Sequence, residues 1–348
     1  MLSHDTLTTT VLFDREIVRI LDKHCVMCHA ENGPAFPLET YEQTWLLGKK
    51  LRASVIARHM PPWASVPGYG DFVNDNSLTL REIQFIVSWV EGLGPRNAGT
   101  VFTNVANSSA PRVPVRAKWE FGKWKRGTPS VALNMEPVVI PPGEGNTVKE
   151  ISVATGLKMV QAVTRIEYIP GDPRVVRAAF FKIQETGQWI GSWTPWYGSI
   201  EAPTNTVYRL PGGSHILAEI YYRGAKASVT DGGKIGLYFQ DKPASNTLSD
   251  LTLSQGDQPT SGRYRAEISL PRDTHIVALR LDPPSAAKSV EVSERRIDGQ
   301  TRELLFAKDF SSDWPSPFIF KQPVLLRRGS VLTVTSYGRP VKVTASRY

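Results

Sequence analysis

Apolar positions change their spacing part-way along the chain. Up to about residue 98 they recur with helical period. Ile17, Val18, Ile20 and Leu21 form one such stripe, with Asp14 placed to cap it. A second stripe runs from Thr40 to about Ala57 and includes Trp45, Leu46, Leu51 and Val55. A third follows Thr79-Leu80-Arg81-Glu82, where the Thr hydroxyl and the Glu carboxylate can each satisfy an open backbone donor. It carries Ile83, Phe85, Ile86, Val87, Trp89 and Val90, and Gly92, Gly94 and Pro95 end it. The stretch 99–114, rich in Asn, Ser, Pro and Val, reads as a linker.

Beyond the linker, short β-branched runs are separated by Gly/Pro turns. One set comprises 138–140, 160–163, 175–181, 216–222 and 235–239; the other comprises 264–268, 275–281, 289–292, 318–320 and 331–334. Strands at this spacing without intervening helices predict antiparallel sandwiches. The expected organisation is therefore α, then all-β: a helical domain over 1–98, the linker, a first sandwich over 115–243 and a second over 244–348.

The chemistry concentrates in one place. Cys25-Val26-Met27-Cys28-His29 is Cys-x-x-Cys-His, the attachment pattern of a c-type haem, and these are the only two cysteines among 348 residues. Each thiol can form a thioether to a haem vinyl group, and the adjacent histidine can serve as proximal iron ligand. No second Cys/His pair at zinc-finger spacing exists, and no βαβ pattern surrounds the motif as a thioredoxin-like site requires. A disulfide is the remaining alternative. Three helices around one covalent haem c fit a small class I cytochrome c. Met60, in His59-Met60-Pro61-Pro62-Trp63, is the expected sixth ligand, a soft thioether on a loop stiffened by two prolines. His59 is the competing ligand. His24 is expected at the module surface, and Trp63, Tyr69 and Phe72 against the haem edge.

Charge adds an asymmetry. Residues 1–98 hold 9 Lys/Arg against 11 Asp/Glu, a net −2, while the remainder holds 32 against 22, a net +10. The basic β half suits docking on an acidic protein or an anionic surface, and a solvated basic face accounts for it equally well. No long Lys/Arg run supports nucleic-acid binding. No apolar run of about 18 residues predicts a transmembrane segment. A charged-then-apolar leader is not visible at Met1-Leu2-Ser3-His4-Asp5, yet covalent haem attachment implies export, so a periplasmic or other extracytoplasmic location is expected.

The Met-Pro-Pro-Trp and Pro-Gly-Tyr-Gly segments resemble the cytochrome domain that some bacterial proteins fuse to a copper type II, ascorbate-dependent monooxygenase-like pair of jelly rolls. The β half is similar to that pair, the fold of peptidylglycine α-hydroxylating monooxygenase, along 168–176, 209–214, 234–239 and 320–326. The resemblance implies two copper sites, whose histidines would fall at Arg177-Ala178, Tyr221 and His275-Ile276-Val277. Only His275 is a histidine, and no methionine follows Met159. The expectation is therefore no copper and no enzymatic activity. His275 is expected to be a structural strand residue and His215 a surface residue. The aromatic cluster Trp189, Trp193, Trp196 and Tyr197 suits either a protein interface or a loop packed over a sandwich mouth.

Three functions fit these features: an accessory electron-transfer subunit docked by its β-sandwiches onto a redox protein or a membrane-bound respiratory or photosynthetic complex; a copper monooxygenase fed by a fused haem; or a structural subunit with a non-transferring haem.

Overall fold

The computed structural model describes residues 9–97, 122–143, 145–282, 287–308, 310 and 314–348. The linker 99–114 lies outside the described residues. The chain forms two compact units: Met1–Trp63 with Asn76–Glu120, and Ala64–Asp75 with Phe121–Tyr348. A twelve-residue segment from within the helical part of the sequence thus belongs, by its contacts, to the β unit.

The helical unit begins with a π-turn, Phe13–Ile17, that continues into α1 (Val18–His24). Asp14 is not the cap. Leu12 holds that position, and its backbone N–H donates to the Glu16 carboxylate at 2.9 Å. The stripe that begins at Thr40 is two helices, α2 (Tyr41–Leu46) and α3 (Gly48–Ile56), because Leu47 leaves helical geometry between them. Thr40 caps α2 in a reciprocal box with Gln43. The predicted box at Thr79 and Glu82 opens α4 (Leu80–Glu91): the Thr79 N–H reaches Glu82 Oε2 at 2.8 Å, and the Glu82 N–H reaches Thr79 Oγ1 at 3.2 Å. Burial opposes the Glu82 charge, but the Thr79 donors, Lys23 and His24 outweigh it and hold the carboxyl at about 2.

Phe13, Ile17, Leu21, Ile86 and Trp89 are core residues of this unit. Trp89 meets Phe13, Tyr41 and Trp45 with ring centroids 5.8, 6.3 and 5.7 Å away, and its indole N–H donates to the Pro95 carbonyl. The indole is thus wholly buried with its one polar atom satisfied.

The β unit accounts for most of the regular structure, and its sheets form sandwiches. Twelve strands build the first: β1 (Val131–Asn134), β2 (Val138–Ile140), β3 (Thr147–Ala154), β4 (Gln161–Ile169), β5 (Val176–Ile183), β6 (Trp189–Trp193), β7 (Ser199–Glu201), β8 (Thr206–Leu210), β9 (His215–Tyr222), β10 (Val229–Asp231), β11 (Lys234–Phe239) and β12 (Asn246–Thr247). One sheet runs β1-β11-β4-β8-β12 with β7 on β4, the other β3-β9-β5-β6, and β2 pairs with β10. Tyr168 on β4 packs against Phe181 and Trp193 on the opposite sheet, each at 5.5 Å between ring centroids. Gly191 lets the sheets close, since a Cβ there would stand 3.3 Å from Ile166.

After Leu248, the second sandwich uses β13 (Ser249–Ser254), β14 (Arg263–Ser269), β15 (Thr274–Asp282), β16 (Ser289–Arg295), β17 (Thr301–Lys308), β18 (Phe318–Leu326), β19 (Val331–Tyr337) and β20 (Lys342–Arg347). Its sheets are ordered β13-β20-β15-β18 and β14-β19-β16-β17. Every β-branched run read from the sequence lies largely on a strand. The Trp-rich stretch departs from the loop expectation: all five residues of β6 are buried, so Trp189 and Trp193 are core residues and do not form an exposed interface.

Candidate functional site

Cys25, Cys28 and His29 are brought together by the turn that ends α1. The backbone N–H groups of Cys28 and His29 both donate to the Cys25 carbonyl, at 3.0 and 2.9 Å. Both cysteines are buried and no disulfide joins them, so the disulfide alternative is not realised. Burial, reinforced by the Glu82 carboxylate, pushes the Cys25 thiol up to about 12, which keeps it protonated. Gly33 permits the return of the chain, because a Cβ there would lie 2.3 Å from the Cys28 carbonyl oxygen. The Ala35 N–H then bonds the Cys28 carbonyl, and the Leu38 N–H bonds the His29 carbonyl.

The His29 tautomer follows from its partner. Nδ1 lies 2.8 Å from the Phe36 carbonyl, which can only accept, so Nδ1 carries the proton and Nε2 keeps its lone pair. Burial lowers the His29 pKa, against the opposing pull of that hydrogen bond, and so favours the neutral imidazole. Two thiols outside any disulfide and one imidazole of fixed tautomer are the residue set that covalent haem attachment requires. The residues present therefore fit that group.

Met60 is half-buried just beyond α3, with its N–H 3.4 Å from the Ser54 carbonyl; the neighbouring His59 is exposed. Pro61 and Pro62, which follow, are buried. His24, expected at the surface, is 7% exposed. Its Nδ1 lies 3.2 Å from the Asn76 carbonyl, and its Nε2 lies 3.3 Å from Glu82. These partners sit more than fifty residues away, too far for local spacing to reveal. Tyr69 and Phe72 also depart from expectation. They pack on Phe306 and on Phe318 and Phe320, all within the β unit.

The positions that the resemblance would give to copper hold other chemistry. The Arg177 guanidinium lies 4.9 Å from the Trp314 ring centroid. The Tyr221 hydroxyl donates to Glu219 at 2.5 Å. His275 stacks on Tyr348 with centroids 4.7 Å apart and rings 4° from parallel. His215 pairs with Glu185 at 2.9 Å on an exposed edge. Among the described residues, no group of three or more His, Cys, Asp and Glu side chains is arranged to hold a metal ion.

Glu219 instead centres an ion network between the sandwiches. Arg280 Nη2 on β15 donates to both Glu219 oxygens on β9, at 3.0 and 2.8 Å, and Lys182 adds a contact at 3.2 Å. Arg280 also lies 4.3 Å from the Phe180 ring centroid. Burial opposes ionisation of Glu219, but Arg280, the Tyr221 hydroxyl and Lys182 hold its pKa at about 2. Asp250 nearby accepts from the Trp189 N–H at 2.7 Å. Its burial outweighs that bond and the cations Arg280, Lys182 and Arg347, and raises it to about 6.

No protein-family model matches the chain, and no curated protein matches it. Among solved structures, the major capsid protein P2 of bacteriophage PM2 is similar at a TM-score of 0.28 and 10% identity, over 61% of this chain and 97% of that one. Allantoicase from Saccharomyces cerevisiae is similar at a TM-score of 0.21 and 9% identity, over 58% of this chain and 77% of that one. Likenesses this slight define neither a shared activity nor a shared site. Among the described residues, no helix is long and apolar enough to cross a membrane.

Proposed function

We propose that this chain is a monohaem c-type cytochrome acting in extracytoplasmic electron transfer. The carrying observation is the Cys25–His29 turn, which holds both cysteines outside any disulfide and directs the His29 Nδ1 proton to the Phe36 carbonyl. Cys25 and Cys28 would hold one haem c through thioethers, and His29 would bind its iron. Met60 would complete the ligand set from the loop after α3. When bound, the haem would supply a one-electron couple, and ligation by a thioether together with an imidazole would raise its potential. The protein's part is to bury the cysteines and fix the imidazole tautomer, and Met60 would supply a further ligand. Closed ligation favours electron transfer over oxygen chemistry. The helical unit is then read as a class I cytochrome c domain and the sandwiches as monooxygenase-like jelly rolls without copper. Arg177, Tyr221 and His275, engaged with Trp314, Glu219 and Tyr348, support that last point. The basic β half would dock the protein on an acidic redox partner or a larger membrane-bound respiratory or photosynthetic complex.

The test is export of the full chain in a host with a c-type haem-attachment pathway. The expected result is a chain mass increased by one haem that survives denaturation, and loss of that increment in Cys25→Ala/Cys28→Ala. A full chain that emerges without covalent haem, or with stoichiometric copper, would overturn the proposal.

A further inference from the structure

The two ends of the second sandwich are built differently. At one end, residues 64–75 cover strand edges. The Val66 N–H donates to the Phe306 carbonyl and the Lys308 N–H to the Ala64 carbonyl on β17, at 2.8 and 2.9 Å. The Val73 N–H donates to the Ile319 carbonyl and the Lys321 N–H to the Asp71 carbonyl on β18, again at 2.8 and 2.9 Å. At the other end three turns meet: 270–273 after β14, 296–300 after β16 and 327–330 after β18. The Gly329 N–H donates to the Leu270 carbonyl at 2.8 Å, and the Leu270 N–H donates to the Ser330 carbonyl at 2.9 Å. The Arg328 N–H donates to Asp273 Oδ1 at 2.8 Å. The third turn closes over Gly329, at φ +83°, where a Cβ would stand 2.9 Å from Ile297 Cδ1.

One sign of charge dominates this junction. The three turns, with Arg295 at the end of β16, hold Arg272, Arg295, Arg296, Arg327 and Arg328 against Asp273 and Asp298, a net +3. All five arginines are exposed. Asp273 is engaged by Arg327 at 2.8 Å, and Asp298 accepts from the Gln300 N–H at 2.9 Å. Burial, and after it the charge of Arg272, lower the pKa of Arg347 at the same end, against the pull of Asp250. Like charges therefore crowd one another here. Ile297, between Arg296 and Asp298, is 76% exposed, more than any other large apolar side chain described in the β unit. Alone it would mean little. Here it sets an apolar tip among guanidinium groups.

We propose that this end of the second sandwich is a docking surface for an anionic lipid membrane. Guanidinium forks match phosphate oxygens two at a time. An apolar side chain among them can enter the acyl boundary while the arginines stay at the headgroups. Size and composition favour lipid over an acidic protein. A stable protein interface buries about 800 Å² on each side around an apolar core, whereas this surface is three short turns with one apolar tip. The inference goes beyond the haem reading and does not rest on it, since every residue it uses belongs to the second sandwich.

The test is flotation of the full chain with phosphatidylcholine vesicles that contain about 30% phosphatidylglycerol. The wild type is expected to float with them at low salt, to be released as salt rises to about 0.5 M, and to ignore pure phosphatidylcholine. Arg272→Gln/Arg295→Gln/Arg328→Gln is expected to weaken partition about a hundredfold, at about fivefold for each charge. Ile297→Ser is expected to weaken it about fivefold. An unchanged unfolding midpoint confirms that the variants are folded. Should the triple variant fail to accumulate, Arg328→Gln alone is expected to show the fivefold loss. A wild type that floats no better with phosphatidylglycerol than without it would overturn the inference, as would folded arginine variants that float like the wild type. Binding to poly-glutamate without binding to vesicles would assign the surface to an acidic protein and overturn it as well. Haem-free and haem-loaded chains are expected to float alike, so failure of the haem reading would leave this result standing.

Discussion

The Cys25–His29 turn and the Glu219–Arg280 interface are both buried and both rich in groups that bind metals or ions, but they spend them differently. Glu219 is surrounded: Arg280 grips both oxygens, and Tyr221 and Lys182 take what remains. The turn holds two thiols outside any disulfide and one imidazole nitrogen oriented by a bond to the other. A buried polar cluster whose charged members pair with one another is architecture.

That contrast can be broken from the architectural side first. Glu219→Ala leaves Arg280 buried without its carboxylate and is expected to destabilise the β unit by about 3–5 kcal/mol, read by denaturant unfolding. A loss below 1 kcal/mol would mean that the network is not what joins the sandwiches.

A smaller effect is expected from α4. Thr79→Ala removes the cap that holds Glu82, at a cost of about 1 kcal/mol. Because Glu82 is held at about 2 in the folded chain, its contribution is present above the ordinary carboxylate range and fades as pH falls toward 2. The difference between wild type and Thr79→Ala should shrink over that interval.

Asp250 carries the opposite sign. Raised to about 6, it binds its proton more tightly folded than unfolded, so its contribution to stability declines as pH rises from about 4 to 6. Asp250→Asn is expected to flatten that decline, read as a weaker pH dependence of the unfolding midpoint. A steeper dependence would show that another group titrates there.

The smallest expected change sharpens the comparison from the other side. Cys28→Ala in the haem-free chain removes a thiol with no disulfide partner and is expected to move stability by no more than about 1 kcal/mol. In the haem-loading host the same substitution removes one of the two thioether sites, read by mass and by the reduced absorption spectrum.

What the sequence made legible was local. The Thr79 box needs only residues three apart, and the β-branched runs that became β9, β11 and β15 announce themselves by composition. The Cys25–His29 motif is likewise contained in five residues. Long-range placement was not legible. Arg280 finds Glu219 across 61 residues, and Asn74 finds Ile319 across 245; neither pairing leaves a periodic trace. Tyr69 and Phe72 misled for the same reason: aromatic residues beside a haem motif suggest haem packing, while their partners lie on strands read much later in the chain. β6 was hidden because burial of all five residues, on both faces of the strand, erases the alternation by which a strand is recognised.

The interlacing of residues 64–75 with β17 and β18 has an evolutionary corollary. A helical module that merely preceded the sandwiches could be trimmed away or exchanged by cutting at residues 99–114. Here such a cut would strip two strand edges of their cover and leave Phe318 and Phe320 bare on the remaining piece. Residues 64–75 and the second sandwich are therefore expected to be expressed and retained together.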